Sequence, residues 1–251
     1  HPAGTLGSES RVNNQVIAAM GKIDKLSTLN SNIEIKRYKL STGEEIPVLA
    51  LWDGGAFQMF MPNILVGEDS NPVMRMLLKN YTRVMDDQGR KRNILGKGIA
   101  AAHSACETTG GYNGGQGIAV LAQNADAMPS SPRHSAWETD IAPHALFPAG
   151  TVNKEMALDN LDRLRQASKG SYLPGLGFVD SVNAANGSVS RVKLSLDEGM
   201  VILSLYKMID GQGLSKYLKG SDIGKNLDQI LTAQDEKLKK AVEKVGFNVN
   251  E

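Results

Sequence analysis

Apolar residues recur every three or four positions over several stretches of the chain, and each such stretch predicts an amphipathic helix. In residues 8–27, Val12, Val16, Ile17, Met20 and Ile23 keep this spacing behind a capping serine, Ser8 or Ser10. In residues 71–88, Val73, Met76, Leu77, Tyr81 and Val84 share one face, with Ser70 and Pro72 suited to the start. Met156, Leu158, Leu161 and Leu164 mark a third helix, with Thr151 as cap and Gly170 as stop. The stretch "SLDEGMVILSLYKMID", residues 195–210, is apolar on nearly every side and predicts a buried helix with acids in its first turn. A short helix at "GLSKYLKG" and a charged one from Ser221 to Gly246 close the chain.

The period changes to two in residues 33–40 and 46–51, with "STGEE" and its Gly43 between them. That pattern predicts a β-hairpin at about residues 32–51. The fold class expected is therefore mainly α, built of helical hairpins, with one small β-hairpin in a single domain over residues 1–251.

Composition narrows the function classes. A formal net charge of +1 and the lack of a Lys/Arg stripe argue against a nucleic-acid surface. No run of about 18 apolar residues is present, so no membrane-spanning helix is expected. Cys106 is the only cysteine, which excludes an internal disulfide and a Cys-based zinc cluster. His1, His103, His134 and His144 show no i, i+4 pair, so neither a metal nor another cofactor is expected. The opening "HPAGTLGSES" reads as a processed terminus.

The Gly-rich stretch "CETTGGYNGGQG", residues 106–117, lacks the Gly-Lys-Ser/Thr of a phosphate-binding loop. With "MPSSPRHS" it forms an irregular region long enough to raise a functional expectation. His103 and Cys106, three apart, could meet as a base and thiol pair, but no third orienting group is assigned. The Met residues at 59, 61, 74 and 76 read as core filler.

Four blocks, taken in order, carry a resemblance: "LWDGGAFQMFMPNIL", "GIAAAHSACETTGGYNG", "ETDIAPHALFPA", and "GFVDSVN" followed by "LSLDEGMVILSLYKM". Together they resemble the later half of the pattern of the glucoamylase-like family of bacterial proteins, which is related to endo-β-1,2-glucanases and to the sugar-processing segments of cyclic glucan synthases. The resemblance implies an (α/α) toroid, full or half, with a sugar cleft where the connecting loops gather. The front half of the pattern has no counterpart here, so another chain or segment completing the toroid is an implied partner. Gln58 stands where the family carries an acid, and a glutamine cannot donate and recover a proton as a carboxyl group does.

On this resemblance the chain is expected to recognise a β-glucan-like or envelope polysaccharide and to hydrolyse it by an inverting mechanism. Such cleavage uses two carboxyl groups flanking the bond. Glu107 is expected to protonate the leaving oxygen and Asp197 to activate a water. Trp52 and Tyr112 would hold sugar rings; Asp53, Gln58, Asp180, Asn183 and Glu198 would line the cleft, with Glu138 and Asp140 near His144 as its rim. A periplasmic or secreted location fits this reading. The alternative is a non-catalytic saccharide-binding or envelope scaffold protein on the same fold. For Asp197 and Glu198 a plainer reading stays open, as charges at the positive end of a helix. For Asp53, Asp180 and Asn183 it is Asx-turns.

Overall fold

The structure is a computed structural model describing residues 33–108, 110–114, 116–123 and 138–249. The helix expected at residues 8–27 and the "MPSSPRHS" segment lie outside the described residues.

The hairpin comes first, as β1 (Ile35–Lys39) and β2 (Glu45–Leu49), antiparallel with Ile35 opposite Leu49. Next, α1 (Ala56–Val66) buries all its residues except Leu65, since its apolar positions run round the whole cylinder, and Gly67 ends it in the left-handed region at φ 73°. The long α2 (Pro72–Lys91) has Pro at its first turn, where no amide hydrogen is needed. Its free N–H groups are capped from a distance: those of Val73 and Met74 donate to the Asp235 carboxylate, at 3.4 and 2.9 Å. Asp235 belongs to the terminal helix α6 (Asp222–Lys244), so one contact caps one helix and docks another.

The helices α3 (Pro143–Gly150), α4 (Lys154–Ala167) and α5 (Ser195–Asp210) form the other side of the molecule. Here α3 packs against both α4 and α5, and α1 packs against α3 and α5. Asn153, rather than Thr151, caps α4, accepting from the Met156 N–H. Thr151 instead follows the last turn of α3, donating its hydroxyl to the Pro148 carbonyl. The main core gathers Phe60, Leu77, Tyr81 and Met85 with the inner face of the hairpin. Phe60 and Tyr81 meet edge to face at 5.4 Å, and the buried Tyr81 hydroxyl donates to the Gly54 carbonyl at 2.6 Å.

Short strands join the helices. β3 (Cys106–Thr108) pairs with β4 (Gly111–Asn113), so the Gly-rich stretch expected as an irregular loop contains a hairpin. β5 (Asp140–Ile141) and β9 (Val189–Ser190) flank β8 (Ser181–Asn183), while β6 (Tyr172–Leu173) pairs with β7 (Gly177–Phe178).

One expectation is corrected outright. Only Asp197, Met200, Ser204 and Lys207 of α5 are buried, whereas Ile202 and Ile209 are 64% and 86% exposed. An all-round apolar helix needs partners on every side, and α5 has them on the side of α1 and α3.

Candidate functional site

Three segments remote in sequence converge at the head of α5. The β3–β4 register sets Glu107 opposite Tyr112, which places both side chains on one face of that hairpin. The hairpin is pinned to the segment entering β8. The Glu107 N–H donates to Asp180 Oδ2 at 2.5 Å, and the Ser181 hydroxyl donates to the Glu107 carbonyl at 2.6 Å. Glu107, Tyr112, Phe57 and Asp197 then line one cavity of about 580 Å³. On its other side Asp197 borders a second cavity of about 480 Å³, shared with His144, Asp180, Glu198, Tyr172 and Phe178.

Asp197 lies in the first turn of α5 but does not cap it: Leu194 holds the cap position, with no side-chain bond. Its carboxyl is buried beside that of Asp180, and among the described residues Oδ2 makes no hydrogen bond of good geometry. Burial, then the Asp180 carboxyl and Glu198, push Asp197 up to about 8. His144, on α3, stands between the aspartates, with Nδ1 3.8 Å from Asp180 Oδ1 and Nε2 3.7 Å from Asp197 Oδ1. Those separations exceed hydrogen-bonding reach. Among the described residues neither buried ring nitrogen makes a hydrogen bond of good geometry, although the backbone of Ala105 and Asp180 lies near the ring. Burial holds the imidazole below its ordinary range, although Asp180 works the other way. Glu198 turns aside to Lys193, 2.7 Å away. Two buried carboxyl groups and an imidazole, open to a cavity on each side, can hold a proton, a cation or the hydroxyls of a ligand.

The other expected residues are placed elsewhere. Asp53 is buried and accepts from the Gly55 N–H at 2.7 Å, an Asx-turn. Trp52 packs with Ala119 on Ala122. Gln58 is buried in α1, its Oε1 without a hydrogen bond, and is not among the residues lining the two cavities at Asp197. Asn183 accepts from the N–H groups of Ala185 and Asn186 and borders a separate cavity with Arg92, Glu138 and Thr139. Asp140 accepts from Gln116 and Thr139, and Glu138 from the Ala119 N–H. The structure thus gathers Glu107, Tyr112, Asp180, Asp197 and Glu198 around two cavities that Trp52, Asp53, Gln58 and Asn183 do not line.

His103 and Cys106 do not form a pair. Both ring nitrogens of His103 are engaged at 2.8 Å, one by Arg92 and one by the Asp140 carbonyl, and burial lowers the ring to about 3. The Cys106 thiol is buried and pushed up by that burial. The central place of His144 and the wall formed by Phe57 were not foreseen. The absence of an i, i+4 histidine pair says nothing of a cluster brought together from residues 144, 180 and 197.

No family model matches the chain, and no curated protein matches it. Solved structures do. An endo-β-1,2-glucanase of Talaromyces funiculosus, determined as a glutamate-to-glutamine mutant with β-1,2-glucan, superposes with a TM-score of 0.67 at 14% identity, over 90% of this chain and 44% of that one. A glucoamylase-like protein of Bacteroides uniformis gives 0.63 at 15% identity, over 86% and 52%. A β-1,2-glucanase of Parabacteroides distasonis gives 0.55 at 13% identity, over 90% and 30%. The chain therefore has a glucoamylase-like, helical-toroid fold and spans about half the length of these neighbours, or less.

Proposed function

We propose that this chain, whose fold is that of carbohydrate-active proteins, binds a β-1,2-glucan or a similar envelope polysaccharide in the groove between the β3–β4 hairpin and the head of α5, and cleaves it. The observation that carries the reading is the meeting of Glu107 and Asp197 on one cavity with the aromatic rings of Phe57 and Tyr112. Flat rings offer sugar faces apolar area, and paired carboxyl groups are what glycosidic cleavage needs. Tyr112 is 63% exposed, so part of its ring faces the cavity. In the proposed chemistry Glu107 protonates the leaving oxygen, and Asp197 draws the proton from a water, directly or through a sugar hydroxyl. Burial keeps Asp197 protonated up to about pH 8, so it acts only in its ionised fraction. Asp180 keeps the hairpin in place, since its carboxylate holds the Glu107 backbone. The neighbours' length and the bare apolar side of α5 support a further proposal, that additional helices of the same toroid cover that side when the site is complete.

The test is incubation with β-1,2-, β-1,3- and β-1,4-glucans, following reducing ends. Release from one of them, reduced at least a hundredfold by Glu107→Gln and by Asp197→Asn, is the expected outcome. Binding without release would support the scaffold reading, which the replacement of the family acid by Gln58 favours. Neither binding nor release would overturn both.

A further inference from the structure

We propose that His144, Asp180 and Asp197 form a binding site for a divalent transition-metal cation, of the zinc or manganese type. Each residue offers one ligand atom, and these atoms all lie within 4.8 Å of one another. All three side chains are more than nine-tenths buried. Contacts of 3.7 and 3.8 Å are too long for the imidazole to hydrogen-bond either carboxylate. The two contacts leave from opposite ring nitrogens, of which one ion bonds only one. Ligand atoms held at about 2.0–2.2 Å from a shared ion stand roughly 3–4 Å apart, so a cluster spanning up to 4.8 Å has to contract by up to about 1 Å around it.

A second observation points the same way. Among the described residues, His144 Nδ1 and Nε2 and Asp197 Oδ2 are buried with no hydrogen bond of good geometry, and all three atoms belong to this one cluster. The backbone of Ala105 and Asp180 lies near the imidazole, and the Asp180 carboxyl lies near Asp197. Buried polar atoms so poorly satisfied are costly, and their concentration in one cluster suits an occupant that bonds them. One imidazole and two carboxylates suit zinc or manganese better than calcium, which takes six to eight oxygens.

The surroundings are those of a supported site. The Glu107 N–H fixes Asp180 Oδ2, as outer partners orient ligating carboxylates. The cluster opens on the 480 Å³ cavity, which provides an entry path and space for water in the remaining coordination positions. The three ligands come from α3, from the turn before β8 and from α5, so the ion would tie together three separate elements.

The experiment uses the purified chain, stripped with chelator and titrated calorimetrically with Zn²⁺, Mn²⁺, Ca²⁺ and Mg²⁺ in separate runs without sugar. The expected result is one equivalent of Zn²⁺ or Mn²⁺ bound per chain, with a melting temperature raised by about 5 °C or more at a hundredfold excess over Kd. His144→Phe and the isosteric Asp197→Asn should each lose that equivalent while keeping the native circular dichroism spectrum. Cys106→Ser should retain it, which separates the site from binding at the thiol. No binding by the chain, or full binding retained by both variants, would overturn the proposal. Because the readout involves no carbohydrate, its failure is distinguishable from that of the sugar reading.

Discussion

Glu68 shows how a single buried acid sets a pH dependence. It is 1% exposed and hydrogen-bonded by the Gln234 amide at 2.9 Å, and burial raises it to about 7. Its unfolded value is about 4.5. Below that value both states hold the proton and stability is greatest. Between about 4.5 and 7 the unfolded chain ionises while the native state keeps its proton, so stability falls as pH rises, by about 3 kcal/mol in all. Glu68→Gln, which keeps an acceptor for Gln234, should remove that slope. Urea unfolding of both proteins at pH 4.5 and pH 7 checks it. An equal pH dependence in the two would exclude Glu68 as the cause. Asp197 illustrates a different residue-level point. As an acid at the head of an apolar helix it reads equally as a dipole charge or as a tool, and its burial beside His144 and the Asp180 carboxyl separates the two.

At the scale of elements, the helices α2, α4 and α6 were legible because eleven or more residues of 3.6 period leave little ambiguity. The β1–β2 hairpin was legible from its alternation. Strands of two or three residues, such as β5, β6 and β9, carry no readable period, so the small sheet that positions Asp180 was not foreseen. The "WDGG" block was legible as a motif but not for its structural reason. Gly54 has φ +72°, and a Cβ there would lie 2.3 Å from the Ile118 carbonyl oxygen. Gly54→Ala should therefore destabilise by about 2–4 kcal/mol, through backbone strain and displacement of the 116–123 segment. A chemical denaturation midpoint within error of the parent would contradict this account of the block.

For the molecule as a whole, the order of four sequence blocks was enough to reach the fold at 13–15% identity to its solved neighbours. The exposed flank of α5 was not legible. An apolar pattern says that a surface is to be covered, not by what. Ile202, Leu205 and Ile209 at 64%, 42% and 86% exposure form a flank of the kind that marks an interaction surface. The isolated chain should accordingly bind an apolar dye and associate as its concentration rises. The pair Ile202→Glu and Ile209→Glu should reduce both effects at least severalfold without loss of helicity. Unchanged dye binding and sedimentation would mean that this flank is not a contact surface.

The central claim is that the groove shared by Glu107, Tyr112, Phe57 and Asp197 holds linked glucose units. The most direct measurement is calorimetric titration of the chain with β-1,2-gluco-oligosaccharides, beside Tyr112→Ala. The account predicts saturable binding weakened about tenfold or more in the variant, equivalent to about 1.4 kcal/mol of lost stacking. Absence of binding, or equal affinity in the parent and the variant, would contradict it.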